Sequence, residues 1–532
     1  MFDDNLITNN LEAWTSSIKA KSATGKGDSK KIKLYGVKRL REMIIELAMR
    51  GLLVPQVKSD EPAQKLLDKI EADKLEFSKK GKIKKSKYLL PLENELPFQI
   101  PQSWIWTQLG KISQIAPRNH LEDDVEVGFV PMALVSSSYQ GSHQQEIRRW
   151  MDVKKGYTHF ANDDIAIAKI TPCFENSKAA IFSDLKNGYG AGTTELHVAR
   201  LIGKHVNSRF ILLYLKALMF LEKGKRKMTG SAGQKRIPVS YFASNPLPLP
   251  PLKEQQRIVS KVDELMTLCD KLEMEQENGL NIHSKLVKTL LSALISTASD
   301  LTKFVESWNR IKFNFDILFT TENSIDQLKQ TILQLAVMGK LLPKKSQWSF
   351  ARFGDIFDIQ GGSQPPKTKF ISEPRDGYVR LLQIRDLGKN PVPTFIPREL
   401  ARRFCDEKDI LIGRYGASVG KIFKGKKGAY NVALVKLIWS PDSFDQDFLI
   451  TWLKSKDFQD RLAGASRSAQ AGFNKKDLAS IQIQYPPLSD QRLIVAKVDQ
   501  LISICDQLKA GITKTKFTQV TLADSLIERI IR

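Results

Sequence analysis

The side chains best equipped for chemistry in this chain are cationic or amide-bearing, and they gather in two places. The stretch EKGKRKMTGSAGQKR (222–236) supplies Lys223, Lys225, Arg226, Lys227, Gln234, Lys235 and Arg236 in a context that reads as a loop, and Lys169 follows the run DDIAIA. Farther on, RYGASVGK brings Arg414, Tyr415, Ser418 and Lys421, and SRSAQAGFNKK brings Arg467, Gln470, Asn474 and Lys475. Guanidinium and ammonium groups hold phosphates, whereas Arg, Lys, Asn and Gln also present paired hydrogen bonds to base edges. The chemistry these sets support is recognition of a nucleic acid. Lys and Arg exceed Asp and Glu by 24 over 532 residues, which favours a polyanionic partner. Taken singly, each side chain reads as solvated surface charge. Two clusters in matching places argue for a common binding face.

Catalytic patterns are near misses. GASVGKI (416–422) has three residues between its glycines and Ile after its lysine, where a phosphate-binding loop needs four and a Ser or Thr. GYGAGTT (188–194) reads as a turn, since no helix clearly follows it. The six histidines form no HExxH and no close pair, so a zinc site is not expected. Cys173, Cys269, Cys405 and Cys505 include no CxxC pair, which argues against a disulfide framework and for a reducing cytoplasm. No apolar run approaches the roughly 20 residues needed to cross a bilayer, and MFDDNLITNN lacks a signal layout. The expectation is a binding protein without catalytic, metal or cofactor sites of its own.

The elements that must carry the two clusters are duplicated. PPLKEQQRIVSKVDELMTLCDKL (250–272) returns 236 positions later as PPLSDQRLIVAKVDQLISICDQL (486–508). A second repeat pairs LREMIIELAMRGLLVP (40–55) with LKQTILQLAVMGKLLP (328–343), and Trp14 is faintly echoed by Trp308. The middle of the chain therefore reads as the C-terminus followed by the N-terminus. If the two ends lie together, they form one unit resembling the central one, and a pseudo-two-fold axis relates two halves. Apolar residues at Ile258, Val262, Leu265, Cys269 and Leu272, and again at Ile494, Val498, Leu501, Cys505 and Leu508, alternate steps of four and three. That is a coiled-coil seam. Each helix begins after its proline pair, and the first, continued to about 296, would be a rod of roughly 60 Å. The seam cysteines read as small buried hydrophobes.

Two blocks of mixed α/β character open alike, SWIWTQLGKISQI (103–115) matching QWSFARFGDIFDI (347–359), and diverge inside. The expected organisation is an N-terminal helical arm and basic linker over 1–100, with KKGKIKKSK (79–87) read as a solvated linker and, as the alternative, a phosphate-contacting strap. Reader modules follow over 101–250 and 346–487, joined by a central helical spacer over 251–345 and closed by a C-terminal helix over 488–532.

At this point the residues resemble a known family. SAGQKRIPVSYFASNPLPLPPLKEQQRIVSKVDEL (231–265), PFQIPQSWIWTQLGKI (97–112), TPCFENSKAAIF (171–182), GTTELHV (192–198) and YNVALVKLI (430–438) resemble segments of specificity subunits of type I restriction–modification enzymes, across essentially the whole chain. The resemblance implies two α/β target-recognition domains, each reading half of a bipartite double-stranded DNA sequence and held apart by antiparallel helices. It implies two methyltransferase subunits docked on the helical regions, motor/nuclease subunits completing the complex, and S-adenosylmethionine, ATP and magnesium on those partners rather than on this chain. Two other readings are a self-sufficient nucleic-acid-modifying enzyme and a coiled-coil scaffold protein.

Overall fold

The computed structural model describes residues 14–15, 18–20, 32–79, 96–342, 347–388, 390–465 and 472–531. It divides into two compact units, Met1–Glu277 with Lys516–Arg532, and Asn278–Thr515. The division falls inside the two longest helices, so the segments 251–345 and 488–532 each contribute to both units. Both chain ends fall in the first unit, as the order of the repeats implied.

In the first unit, strands β1 (Ile18–Ala20) and β2 (Ile32–Leu34) pair antiparallel and lead into helix α1 (Tyr35–Met49), followed by α2 (Ala63–Lys79). The reader begins with β3 (Ile105–Gln108), which pairs antiparallel with its last strand. Next come β4 (Ser113–Ile115), β5 (Glu126–Val130), β6 (Glu146–Arg149), β7 (Thr158–Ala161), β8 (Ile165–Ala168), β9 (Ala179–Ile181), β10 (Tyr189–Gly192) and β11 (Leu196–Leu201). Helices α3 (Ser208–Lys216) and α4 (Leu218–Lys227) lead to the closing strand β12 (Pro246–Leu249). Two four-stranded sheets result, ordered β4-β11-β8-β9 and β6-β5-β10-β7, with β5 and β10 parallel. Helix α5 (Leu252–Ser296) leaves the reader and runs on into the second unit.

The second unit repeats the plan. Helices α6 (Leu301–Phe313) and α7 (Glu322–Val337) precede the incoming strand β13 (Ser349–Arg352). The reader strands are β14 (Asp358–Gly361), β15 (Tyr378–Leu382), β16 (Phe395–Pro397), β17 (Phe404–Cys405), β18 (Ile410–Gly413), β19 (Ile422–Lys424), β20 (Gly428–Tyr430) and β21 (Leu434–Ile438). Helices α8 (Gln446–Lys454) and α9 (Lys456–Ala465), strand β22 (Gln482–Tyr485) and helix α10 (Leu488–Ile531) complete it. The sheets run β14-β21-β18-β19 and β16-β15-β20-β17, β15 and β20 are parallel, and β13 pairs with β22. Strand for strand, this is the order of the first reader. The divergent interiors of the two blocks therefore cover one architecture.

The glycine-rich GYGAGTT run was expected to be a turn. It contains β10, an inner strand of its sheet. Glycine weakens a strand in general, but a Cβ on Gly190 would approach the Phe160 ring to 2.4 Å, and one on Gly192 the Val130 carbonyl to 2.3 Å. Crowding, not flexibility, selects these glycines. The 416–422 run is the turn between β18 and β19, closed by Gly413 N–H donating to the Lys421 carbonyl (2.8 Å).

The predicted seam residues are placed by this division. Ile258, Val262, Leu265 and Cys269 share one core with Leu40, Met43, Ile44 and Leu47 of α1 and with Ala523 and Ile527 near the end of α10. Ile494, Val498 and Cys505 share another with Ile325, Leu328, Ile332 and Leu335 of α7 and with Val287, Leu291 and Leu294 of α5. Leu501 and Leu508 pack against that second core as partly buried side chains, and Leu272 is half-buried. The start of α5 thus meets the end of α10, and the end of α5 meets the start of α10, which is an antiparallel relation. The two stripes do not form one mutual zipper. Each is a face of a three-helix core, because the helix of the shorter repeat takes the place across from it. Burial pushes the Cys269 thiol up to about 11 and raises Cys505 as well.

The helix pairs are matched by ion pairs at equivalent positions. Arg41 on α1 bonds Asp270 (2.6 Å) and Glu273 (2.6 Å), and Lys329 on α7 bonds Asp506. Near the chain end, Tyr35 donates to Asp524 (2.7 Å) and Arg39 pairs with it (2.9 Å). Trp14 and Trp308 do not share an environment, Trp14 being fully buried and Trp308 43% exposed.

Two polar pins fasten each reader to its helices. Gln255 is wholly buried; its Oε1 accepts from the backbone N–H of Asn207, the N-cap of α3 (2.8 Å), and its Nε2 donates to the Pro250 carbonyl (2.9 Å). Gln491 repeats this with Asp445, the N-cap of α8 (2.9 Å), and Pro486 (2.9 Å). The second pin joins the shorter repeat to the next reader helix. Glu46 accepts from Met219 N–H at the start of α4 (2.7 Å), and Gln334 accepts from Asp457 N–H at the start of α9 (2.9 Å). Orphan N–H groups at helix starts are where such acceptors are needed.

Replacing Gln255 or Gln491 with Leu leaves a backbone donor and acceptor unpaired, and each change should cost about 1–3 kcal/mol by urea unfolding of the full chain. Losses under about 0.5 kcal/mol would mean that water substitutes for the amide. Burial raises the Glu46 carboxyl above its usual range, so the folded state favours its protonated form. Stability carried by that group is complete at acidic pH and falls as pH rises through the raised value. Glu46→Gln, the residue type found at 334, should flatten this dependence in a pH series of urea midpoints.

Candidate nucleic-acid interface

In the first reader, the residues singled out from sequence divide by structure. Lys223, Lys225, Arg226 and Lys227 were expected in a loop, but they ride the last turns of α4. Within the helix, the missing Cβ of Gly224 admits the Phe174 ring; a Cβ there would stand 2.4 Å from it. Lys225 is paired with Glu222 (2.6 Å), whereas Arg226 and Lys227 are exposed at the helix end. A tight hairpin follows. Thr229 and Arg236 exchange both backbone hydrogen bonds (3.0 and 2.8 Å), Gly230 and Gly233 take positive φ, and residues 229–235 are all exposed. Gln234 and Lys235 stand on this hairpin.

The hairpin is docked on the segment leaving β8. Thr171 N–H donates to the Lys235 carbonyl (2.9 Å), Lys235 N–H to Thr171 Oγ1 (3.1 Å), and Ile237 N–H to the Lys169 carbonyl (2.9 Å). The structure thus brings Lys169 beside the Gln234–Lys235 cluster, 65 residues away in sequence from Gln234. Arg236 turns the other way. Its guanidinium engages the Glu195 carboxylate at 2.8 and 2.9 Å, and this contact holds Glu195 below the usual carboxylate range. Arg236 is a fastener here, not a free donor.

A cleft of about 650 Å³ lies beside the hairpin, lined by Arg118, Lys169, His197, Thr229 and Arg236 among others. Burial pushes the His197 ring down to about 4, and its Nε2 lies 3.0 Å from the Ile237 carbonyl. At neutral pH it adds no charge, so Lys169 and Arg118 supply the available cations. Arg118, Glu195 and Thr171 were missed in the list of candidates. GTTELHV and TPCFENSKAAIF drew notice as motifs, but nothing local revealed that Glu195 and Thr171 meet the hairpin. Elsewhere in this reader, buried Lys216 donates to the Ser177 carbonyl (2.8 Å), and burial lowers its ammonium to about 7.

The second reader places its residues in the equivalent region. Arg414 follows β18 as Lys169 follows β8; its Nε donates to the Phe473 carbonyl (3.0 Å), and its guanidinium lies over the Tyr415 ring (5.0 Å). Gly472, at φ +66°, passes so close that a Cβ would meet the Arg414 carbonyl at 2.3 Å. Tyr415 and Lys421 are exposed and Ser418 is half-buried in the β18–β19 turn. Asn474 caps a short helix, accepting from Lys476 and Asp477 N–H groups (2.8 and 3.3 Å), and Lys475 pairs with Asp358 (2.9 Å). Arg467 and Gln470 lie outside the described residues. Both readers therefore assemble a basic face from one site, the meeting of the strand-exit segment with the stretch after the second helix. Among the described residues, no group of three or more His, Cys, Asp or Glu could hold a metal ion, and no helix is long and apolar enough to cross a membrane.

Comparison with known proteins agrees with this plan. Residues 101–281 and 345–515 match the family described as type I restriction modification DNA specificity domain. The chain is 41% identical to the "Type I restriction enzyme EcoAI specificity subunit" of Escherichia coli and 38% identical to the EcoEI specificity subunit of the same organism, with 99% of both chains covered in each case. A solved chain described under "Structural basis underlying complex assembly and conformational transition of the type I R-M system" superposes with a TM-score of 0.52 at 20% identity. It covers 82% of this chain and 99% of that one, and supports the fold alone.

Proposed function

Since the chain belongs to the type I restriction–modification DNA specificity family, we propose that it reads a bipartite duplex sequence, each reader recognising one half. The observation that carries this reading is the pair of readers with one strand order, equivalent pins and different surface chemistry where their basic residues meet. Identical architecture supplies the same approach to a duplex; different side chains supply different base preferences. The duplicated helices set the distance between half-sites and offer equivalent docks to two methyltransferase subunits, with motor/nuclease subunits completing the assembly. The chain itself performs no chemistry. S-adenosylmethionine, ATP and magnesium belong to its partners, and the complex works in the cytoplasm.

The direct test is to express the chain with its methyltransferase subunit and map methylated adenines across the host genome. A two-part motif with an unread gap is expected, and exchange of residues 101–250 for another reader should change one part only. Random or continuous methylation would overturn the reading. For the assembled complex, Arg226→Ala with Lys227→Ala should weaken binding to all duplexes and reduce the slope of log affinity against log salt by about 2. Unchanged affinity and slope would remove the end of α4 from the interface.

A further inference from the structure

The Thr229–Arg236 hairpin differs from the surrounding basic surface in being exposed along its length and yet rigidly fixed at its base. Five backbone or hydroxyl hydrogen bonds tie it to itself and to Thr171, and a further bond from Ile237 N–H to the Lys169 carbonyl fastens the chain just beyond it. Its side chains make no apolar core. An ordered polar projection with two positive-φ glycines costs conformational entropy, and no internal packing at its tip repays that cost. A rigid projection of this width suits insertion into a groove, since a two-stranded ribbon fits the major groove of duplex DNA.

Of its side chains, Gln234 alone joins exposure to a paired donor and acceptor, the combination that matches the N6 and N7 edge of adenine. Lys235 beside it carries charge suited to a phosphate or a guanine edge. Arg236, one of the candidates from sequence, is engaged through Nε and Nη2 by Glu195, and its Nη1 donates to the Gln234 carbonyl (3.0 Å). Glu195 is itself held: its N–H donates to Thr193 Oγ1 (3.2 Å) and its carbonyl accepts from Lys169 N–H (2.9 Å). The carboxylate thus ties the hairpin base to the β10–β11 connection and to the strand exit at once. An acidic side chain on a DNA face costs affinity through repulsion of phosphate, so its presence needs a return, and the clamp supplies one.

We propose that the Thr229–Arg236 hairpin is the base-reading element of the first reader, with Gln234 as a specificity-determining side chain and Glu195, through Arg236, as the positioning residue that fixes the hairpin on its half-site. Among the described residues, the second reader shows no counterpart of this clamp. Ala433 precedes β21 where Glu195 precedes β11, and Arg414 instead ties its strand exit to Phe473 by a side-chain bond to the backbone. The two readers then hold the same kind of element by different means, so loss of Glu195 affects one half-site only.

The proposal rests on the function given above, and the test separates the two. The full chain is co-expressed with its methyltransferase subunit, and methylated adenines are mapped for wild type, Gln234→Ala, Glu195→Gln, and Glu195→Asp, which keeps the charge. Gln234→Ala, at an exposed tip, leaves the fold intact and should relax discrimination about tenfold or more at one or two positions of one half-site. Glu195→Gln should relax the same half while leaving the other half and the salt slope of binding unchanged, and Glu195→Asp should restore part of the discrimination. An unaltered motif in both Gln234→Ala and Glu195→Gln overturns the proposal with the bipartite function intact. Relaxation of both halves in Glu195→Gln shows a general folding defect and also overturns it. Absence of a two-part motif in the wild type overturns the underlying function instead.

Discussion

Everything the readers do depends on a buried glutamine. Gln255 and Gln491 each sit behind a proline pair, at the first turn of a long helix, with no exposed surface. A primary amide is neutral and, through separate oxygen and nitrogen atoms, accepts from a helix N-terminus while it donates to a carbonyl. Burying it without both partners would cost more than the bonds return, so the site admits one arrangement of reader and helix. The amide fastens each reader to the first turn of the helix that follows it.

The second pin shows how a duplicated frame tolerates divergence. Glu46 and Gln334 perform the same capping task, yet one is an ionisable carboxyl and the other a neutral amide. Asp506 meets Lys329 where Asp270 meets Arg41, and Glu273 and Lys509 differ in sign. Geometry is retained while charge drifts. The readers carry this further: one strand order supports two unrelated surfaces, and even the device that steadies the strand exit differs between them.

Charge in the two basic clusters is largely committed. Several cations that looked available are committed internally: Arg236 to Glu195, Lys475 to Asp358, and Arg414 to a carbonyl and an aromatic ring. Fixed side chains lose less entropy on binding than free ones, and they shape the loops that carry the remaining donors.

The sequence alone determined the architecture. Repeats in the order C-terminus then N-terminus suggested that the two ends join one unit resembling the central one, and the division of the chain agrees. The proline pairs and the four–three spacing after them marked the long helices, since proline cannot lie inside a helix and apolar spacing of 3.5 selects one face. Tertiary structure alone decided what that face meets. Periodicity records that a stripe is buried, but not by which helix, so the α1 and α7 partners were invisible. Gly190 and Gly192 read as turn signals because local propensity is blind to a Phe ring or a carbonyl pressing from a distant strand. Arg236 looked like a reader for the same reason: its carboxylate partner lies 41 residues away, and only the fold brings the two charges together.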